Sequence, residues 1–302
     1  MASRKIEQQL EVLGGLRRGT PADAIGPLRK ALADRVNLVV AKAAAIAGEM
    51  PIYDLVPDLV AAFHRLLEDD PARRDPQCWG KIAIAKALRD LDHRESAVFL
   101  RGARHIQMEP VWGGQADTAE PLRGVCLVAL VGCPDLRREE LMRCLVNALT
   151  ESAAPVRSDA ARALAQMGGD DSALLLRLKA RMGDKESSVV GQVLESLLAL
   201  ERKEALPFVA EFLSVAGGEV AEEAALALGS SRIAAATELL RQAWERTRHP
   251  DFRAVLLRAL CISRDEPALA FVEDLANNGR AQDAADARAA LALLRDAGAR
   301  NG

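Results

Sequence analysis

The chain has 302 residues, of which 56 are Ala and 43 are Leu, against six Phe, three Trp and one Tyr. A β-sandwich or barrel needs β-branched and aromatic residues, so that class is excluded, and a chain that is 50% hydrophobic is not a disordered one. Forty basic against 43 acidic residues, for a net charge of -3, leaves no basic footprint and argues against a nucleic-acid partner.

Ala and Leu head the helix propensity scale, so a nearly all-helical chain is expected. It opens on an amphipathic segment, Arg4–Arg17, that predicts a leading helix. This segment has no apolar core of the kind a secretory signal carries. No stretch reaches the ~18 consecutive apolar residues of a membrane span. The five cysteines, Cys78, Cys126, Cys133, Cys144 and Cys261, form no CxxC pair and sit mostly in apolar helical runs. Free thiols in a reducing compartment follow, and with them a cytoplasmic protein without a membrane anchor.

From there on the chain is periodic. A small residue followed by a large one recurs at Ala45-Ile46, Ala87-Leu88, Ala129-Leu130, Ala163-Leu164, Ser196-Leu197, Ala227-Leu228, Ala259-Leu260 and Ala290-Leu291. A second set of large apolar anchors falls between these, at Leu59, Phe99, Leu141, Leu175, Phe208, Leu239 and Phe271. Both advance by 40–42 residues at first and by 31–34 later. Two rulers in phase predict a two-helix unit repeated about seven times. Pro121, Pro155, Pro207, Pro250 and Pro267 fall where first turns are expected. Gly48, Gly132, Gly168, Gly183, Gly217 and Gly229 fall where left-handed C-caps are expected. A third regularity is charged. Lys81, Arg123, Arg157 and Arg253 stand seven residues before the ruler Leu. Asp75, Asp117 and Glu151 stand six residues before the first three, and Asp184 holds the same slot before Val190. Such an acid and base can pair or cap within and between repeats.

A turn acid, then Val-Arg, then Ala-x-x-Ala-Leu resembles the HEAT repeat, in the short form also found in bilin lyases. The best match is the segment from Glu151 through Pro155, Val156, Arg157, Ala160 and Ala163-Leu164 to Gly168. The resemblance covers roughly residues 21–297 and implies an all-α fold, a right-handed α-solenoid of about seven antiparallel helix pairs. In it the second helices would line the concave face. The expected organisation is one continuous body. Residues 1–20 form a leading helix, 21–118 longer irregular repeats with an insertion at 107–118, and 119–297 regular repeats of 31–34 residues.

The irregular part carries the candidates. The insertion reads QMEPVWGGQADT, longer than the 2–8 residues usual between helices. Trp79, Lys81 and Lys86 lie on the preceding second helix, and Arg101 and His105 are four apart on the next first helix. With Glu109, Trp112, Arg123 and Arg157 they make up a proposed binding groove in the N-terminal half. In the alternative, Trp112 staples the insertion to the helices and the charges are members of the ladder.

Catalytic signals are absent. No HxH, HxxxH, HExxH or zinc-spaced Cys–His set occurs, and no phosphate loop or nucleophile elbow. HEAT-repeat deoxyhypusine hydroxylases hold iron through repeated His-Glu pairs, and this chain has no His-Glu dipeptide. HEAT-like alkylpurine DNA glycosylases are basic, and this chain is not. The expected function is therefore a non-catalytic scaffold for a protein partner, with no cofactor and no metal. The competing class is a HEAT-repeat enzyme or chaperone of the bilin-lyase or glycosylase kind. The acidic run Glu219–Glu223 reads as a solvated stripe or a lure for a basic peptide.

Overall fold

The computed structural model describes residues 2–214 and 218–299. It forms two compact units, Met1–Ala163 and Leu164–Gly302. In chain order the first unit contains α1 (Ala2–Gly15), α2 (Pro21–Leu32), α3 (Asn37–Glu49), α4 (Val56–Leu67), the single turn α5 (Pro71–Arg74), α6 (Trp79–Asp90) and α7 (Ser96–Ala103). A β-hairpin follows, β1 (Met108–Val111) and β2 (Gly114–Asp117), then α8 (Glu120–Leu130), α9 (Arg138–Leu149) and α10 (Ala154–Met167), in which the division between units falls. The second unit continues with α11 (Asp170–Met182), α12 (Ser187–Glu201), α13 (Leu206–Ala210), α14 (Glu219–Ser230), α15 (Ala234–Arg246), α16 (Pro250–Ser263), α17 (Glu266–Asn278) and α18 (Ala281–Ala299). The fold is all-α apart from the hairpin. None of the described helices is long and apolar enough to cross a membrane.

Within each unit the helices pair and then stack. In the first, α3 packs on α6 and α6 on α8; in the second, α12 on α14, α14 on α16 and α16 on α18. The first helices stand beside them, α2 on α3, α7 on α8, α11 on α12, α15 on α16 and α17 on α18. The small-plus-large ruler marks this stacking layer. All its small residues are buried except half-buried Ala45, and its large ones are buried except half-buried Leu291. Two glycines expected at helix ends do something else. Gly48 lies inside α3 and Gly229 inside α14, each against a ruler alanine of the next second helix. A Cβ on Gly48 would stand 3.2 Å from the Cα of Ala87, and one on Gly229 would stand 2.3 Å from the carbonyl oxygen of Ala259. Gly168 and Gly183 do adopt positive φ, 70° and 73°, at the ends of α10 and α11. Gly217 lies outside the described residues.

In the second unit Phe208 of the second ruler is buried as expected, but the other three positions are displaced by one residue. There Leu176, Leu240 and Val272 are fully buried, and Leu175, Leu239 and Phe271 are only half-buried. The five prolines all sit in first turns as expected.

The charged ladder caps turns. Arg123 donates to the carbonyl of His105 beyond the end of α7 at 2.9 Å, and pairs with Asp117 at 2.6 Å and with Glu151 of the next repeat at 2.5 Å. Arg157 donates to the carbonyls of Glu151 and Ser152, both at 2.7 Å. Arg253 donates to the carbonyls of Trp244 and Thr247, lies 3.7 Å over the Trp244 ring, and pairs with Asp283. The last carbonyls of a helix have no intrahelical donor, so a cation there supplies hydrogen bonds and faces the negative end of the dipole. Where the ladder base is replaced by Val190, Asp184 pairs with Lys179 instead.

Because the obstacle at Gly229 is backbone, Gly229→Ala must push α14 from α16. We expect a loss of about 1–3 kcal/mol in denaturant unfolding; unchanged stability would show that the spacing is not set there.

Candidate functional site

The insertion at 107–118 is a hairpin rather than a loop. Its register pairs Met108 with Asp117, Glu109 with Ala116, Pro110 with Gln115 and Val111 with Gly114. Trp112 and Gly113 form the turn, where Gly113 takes φ 88°, a conformation glycine reaches without a Cβ penalty. Trp112 is fully exposed, at 102% of its reference area. It does not staple the hairpin to the helices. Ile106, Met108 and Val111, on the strand and its approach, are exposed as well.

A polar network holds the base of the hairpin instead. Its first part in sequence order is the turn before α6. Asp75 accepts hydrogen bonds from the backbone N–H groups of Gly80 and Lys81, each at 2.8 Å, and from Asn37 Nδ2 at 3.0 Å. The Lys81 ammonium stands 3.4 Å from Asp75, and both side chains are 0% exposed. The same ammonium donates to the carbonyls of Leu66 and Pro71 and, at 2.8 Å, to Gln107 Oε1. Gly80 is needed here, because a Cβ would lie 2.7 Å from Leu66 Cδ1 and 3.2 Å from Asp75.

Gln107 is the hub. Its Nε2 donates to the carbonyl of Asp75 at 2.9 Å and to Glu109 at 2.6 Å, while its Oε1 accepts from Lys81 and from His105 Nε2 at 3.1 Å. The cation fixes the amide orientation, and the amide in turn fixes the proton of His105 on Nε2. Burial, with Lys81 nearby, holds the His105 pKa below its ordinary 6.5, so the ring is neutral at pH 7. Glu109 accepts from the backbone N–H of Gln77 at 2.7 Å, from Thr118 Oγ1 at 2.6 Å and from Gln107. Burial alone would raise its pKa, but the hydrogen bonds from Thr118, Gln107 and Gln77 outweigh it and the pKa is lowered. Asp117 behaves the same way: burial opposes ionisation, and the N–H groups of Gln107 and Ala119 with Arg123 win. Gln77 and Cys78 both sit at positive φ, 61° and 55°, held there by the Glu109 bond and by the bond from Cys78 N to the carbonyl of Asp75. Burial raises the Cys78 thiol to about 11, so it stays protonated.

The nominated residues therefore divide. Lys81, Glu109, Arg123 and half-buried His105 are brought together at the hairpin base, where their hydrogen bonds go into the fold, apart from the Arg123 Nε–H, which has no acceptor. Arg157 is buried one turn further on. Trp79, half exposed, and Lys86 line a groove of about 450 Å³ between α3 and α6, with Gly48 and Ile82. Arg101 is exposed on α7 and meets His64 Nδ1 at 2.6 Å. Trp112 stands by itself at the tip. Sequence reasoning missed Gln107 and Thr118, and missed Ile106, Met108 and Val111 as exposed apolar residues. The signal for the hairpin was the Trp-Gly-Gly turn between two short extended segments. Among the described residues no three His, Cys, Asp or Glu side chains gather so as to hold a metal ion.

No protein-family model matches the chain, and no curated protein matches its sequence. Among solved structures it is similar to human deoxyhypusine hydroxylase in complex with glycerol, at 18% identity and a TM-score of 0.29, over 95% of this chain and 89% of that one. It is also similar to an engineered protein, at 16% identity and a TM-score of 0.27, over 89% and 95%. Scores this low carry no argument about activity.

Lys81→Met would leave Asp75 charged and buried without its cation. A loss of about 3–5 kcal/mol is expected in denaturant unfolding, and a loss below 1 kcal/mol would show that the three N–H donors suffice. The acid response follows from the lowered carboxylates. Glu109 and Asp117 have folded-state pKa values below their ordinary 4.5 and 3.8, so their contribution is complete above that range and is lost as pH falls through the folded values. His105, also lowered, acts in the same sense from pH 6.5 downward. Glu109→Gln should be less stable at pH 7 and show a flatter loss toward pH 3, read from unfolding midpoints across about pH 3–7.

Proposed function

We propose that the chain is a non-catalytic, cytoplasmic protein-binding scaffold and that the hairpin is its principal contact element. The observation that carries this is Trp112, fully exposed at the tip of a hairpin whose base is locked by buried hydrogen bonds. An isolated two-stranded hairpin is marginal in water. Here the network to α6 and α8 supplies the order that a partner would otherwise have to impose. Pre-ordering of this kind reduces the entropy lost on binding. Burying a Trp of roughly 200 Å² returns about 5 kcal/mol before other terms, which makes it a natural anchor. Ile106, Met108 and Val111 extend the apolar contact, and Trp79 with Lys86 would widen it along the α3–α6 groove. The free cysteines fit a reducing compartment.

Nothing in the fold rests on the Trp112 side chain, so Trp112→Ala should leave the melting temperature unchanged. A photo-crosslinking residue at position 112 should capture a protein from extract of the native host, and Trp112→Ala should weaken retention of that protein at least tenfold. Equal retention by Trp112→Ala, or no crosslinked protein, would overturn the hairpin reading.

A further inference from the structure

A second feature of the first unit lies beside the hairpin base, with which it shares Ile106 and Arg123, and does not involve Trp112 at the tip. A cleft of about 620 Å³ opens between α7 and α9, within the size range of small-molecule sites. One continuous face of α9 lines it: Glu140, Arg143, Cys144, Asn147 and Ala148, at i, i+3, i+4, i+7 and i+8. The other face of α9, Leu141 and Leu145, is buried among the neighbouring helices. Leu127 and Val156, both nearly inaccessible, form the bottom of the cleft, and Leu100 and Leu136 add apolar wall.

The charges are unequal. Both carboxylates at the cleft are already matched, Glu140 by Arg137 at 2.6 Å and Glu151 by Arg123 at 2.5 Å. Arg104, at the end of α7, and Arg143, on α9, also line it; neither side chain is held by a hydrogen bond or a close ion pair among the described residues, and Arg143 is near enough to Glu140 to help lower that carboxylate's pKa. Arg123, 3% exposed and part of the lining, keeps a buried Nε–H with no acceptor. The cleft thus joins an apolar interior to two exposed guanidinium groups that no hydrogen bond holds, in a chain whose net charge is -3.

We propose that this cleft binds an amphipathic carboxylate, its head between Arg104 and Arg143 and its hydrocarbon body on Leu100, Leu127, Leu136 and Val156. Guanidinium groups bind carboxylate through paired, charge-assisted hydrogen bonds. A polyanion would find two arginines and no basic track. A cationic amphiphile would meet the same two charges with the wrong sign. An uncharged one would leave their N–H donors without a charged acceptor beside an apolar surface.

The structure supplies its own reporter. Cys144 lines the cleft and is half-exposed, whereas Cys78, Cys126, Cys133 and Cys261 are buried. Alkylation of Cys144 by iodoacetamide, followed by mass spectrometry of its peptide, therefore reads occupancy. Decanoate should slow that alkylation saturably and bind one per chain in calorimetry, and decyltrimethylammonium and decanol should not compete. Arg104→Glu with Arg143→Glu changes exposed residues and should fold, and should weaken decanoate at least tenfold. Ala103→Phe, which narrows the cleft, should abolish protection. Trp112→Ala should retain it in full, so this site stands or falls apart from the hairpin. No saturable protection, equal protection by the ammonium or the alcohol, or undiminished binding in the double arginine variant would each overturn the proposal.

Discussion

A helix ends with carbonyl oxygens that no N–H of its own can reach. In a stack of short helices joined by tight turns, those oxygens are crowded against the next helix, where water reaches them poorly. This chain answers with a cation from the helix that follows. Lys81, Arg123, Arg157 and Arg253 each extend back to the turn just completed and bond its carbonyls. Arg288 on α18 does the same for Ala276 at the end of α17. The interaction ties the start of a second helix to the turn before it, and the glycine and alanine contacts between successive second helices lie further along the same helices. Where the cation is buried it also needs an acid nearby, Asp75 for Lys81 and Asp117 with Glu151 for Arg123, and half-buried Arg253 pairs with Asp283.

The hairpin grows out of that same chemistry. At two successive rungs the cation does more than cap: Lys81 reaches Gln107, and Arg123 reaches both Asp117 at the end of β2 and the carbonyl of His105 before β1. Both ends of an insertion are thereby tied to bonds that the helix stack requires anyway. The Glu109 carboxylate completes the join with four hydrogen bonds. A buried charge pair is not in itself strongly stabilising. What this one provides is a single arrangement, because the donors and acceptors around it are satisfied together, Lys81 and Gln107 each serving several partners at once.

The repeat was legible because a close helix crossing demands a small residue, and the chain shows one in register from Ala45 to Ala290, alanine everywhere but Ser196. The anchors were less so. Leu174-Leu175-Leu176, Leu239-Leu240 and Phe271-Val272 offer adjacent apolar residues, and periodicity alone does not say which one turns inward. Gly48 and Gly229 look like helix ends in sequence, yet they serve helix contact. The charged slots were visible, but not their direction: a basic residue near a helix start can point to solvent or fold back onto a turn, and Lys81 and Arg123 do the latter. The hairpin was hidden by its brevity, two strands of four residues, one with a proline. The cleft beside α9 had no signal at all, since its lining comes from α7, α8, α9, the start of α10 and the turns between them, which only the packing brings together.

One carboxylate thus joins three pieces of chain: the turn at Gln77, 32 residues away, the strand that holds Glu109 itself, and Thr118 just past the hairpin. Groups that share an acceptor in this way cannot let go one at a time without leaving a buried charge poorly solvated. The entry to α6 and the whole hairpin therefore form one opening unit, and amide hydrogens at both places should exchange with a common free energy although 32 residues separate Gln77 from Glu109. In a repeat protein, where opening usually spreads between adjacent helices, this is a clasp that makes two neighbouring repeats breathe together.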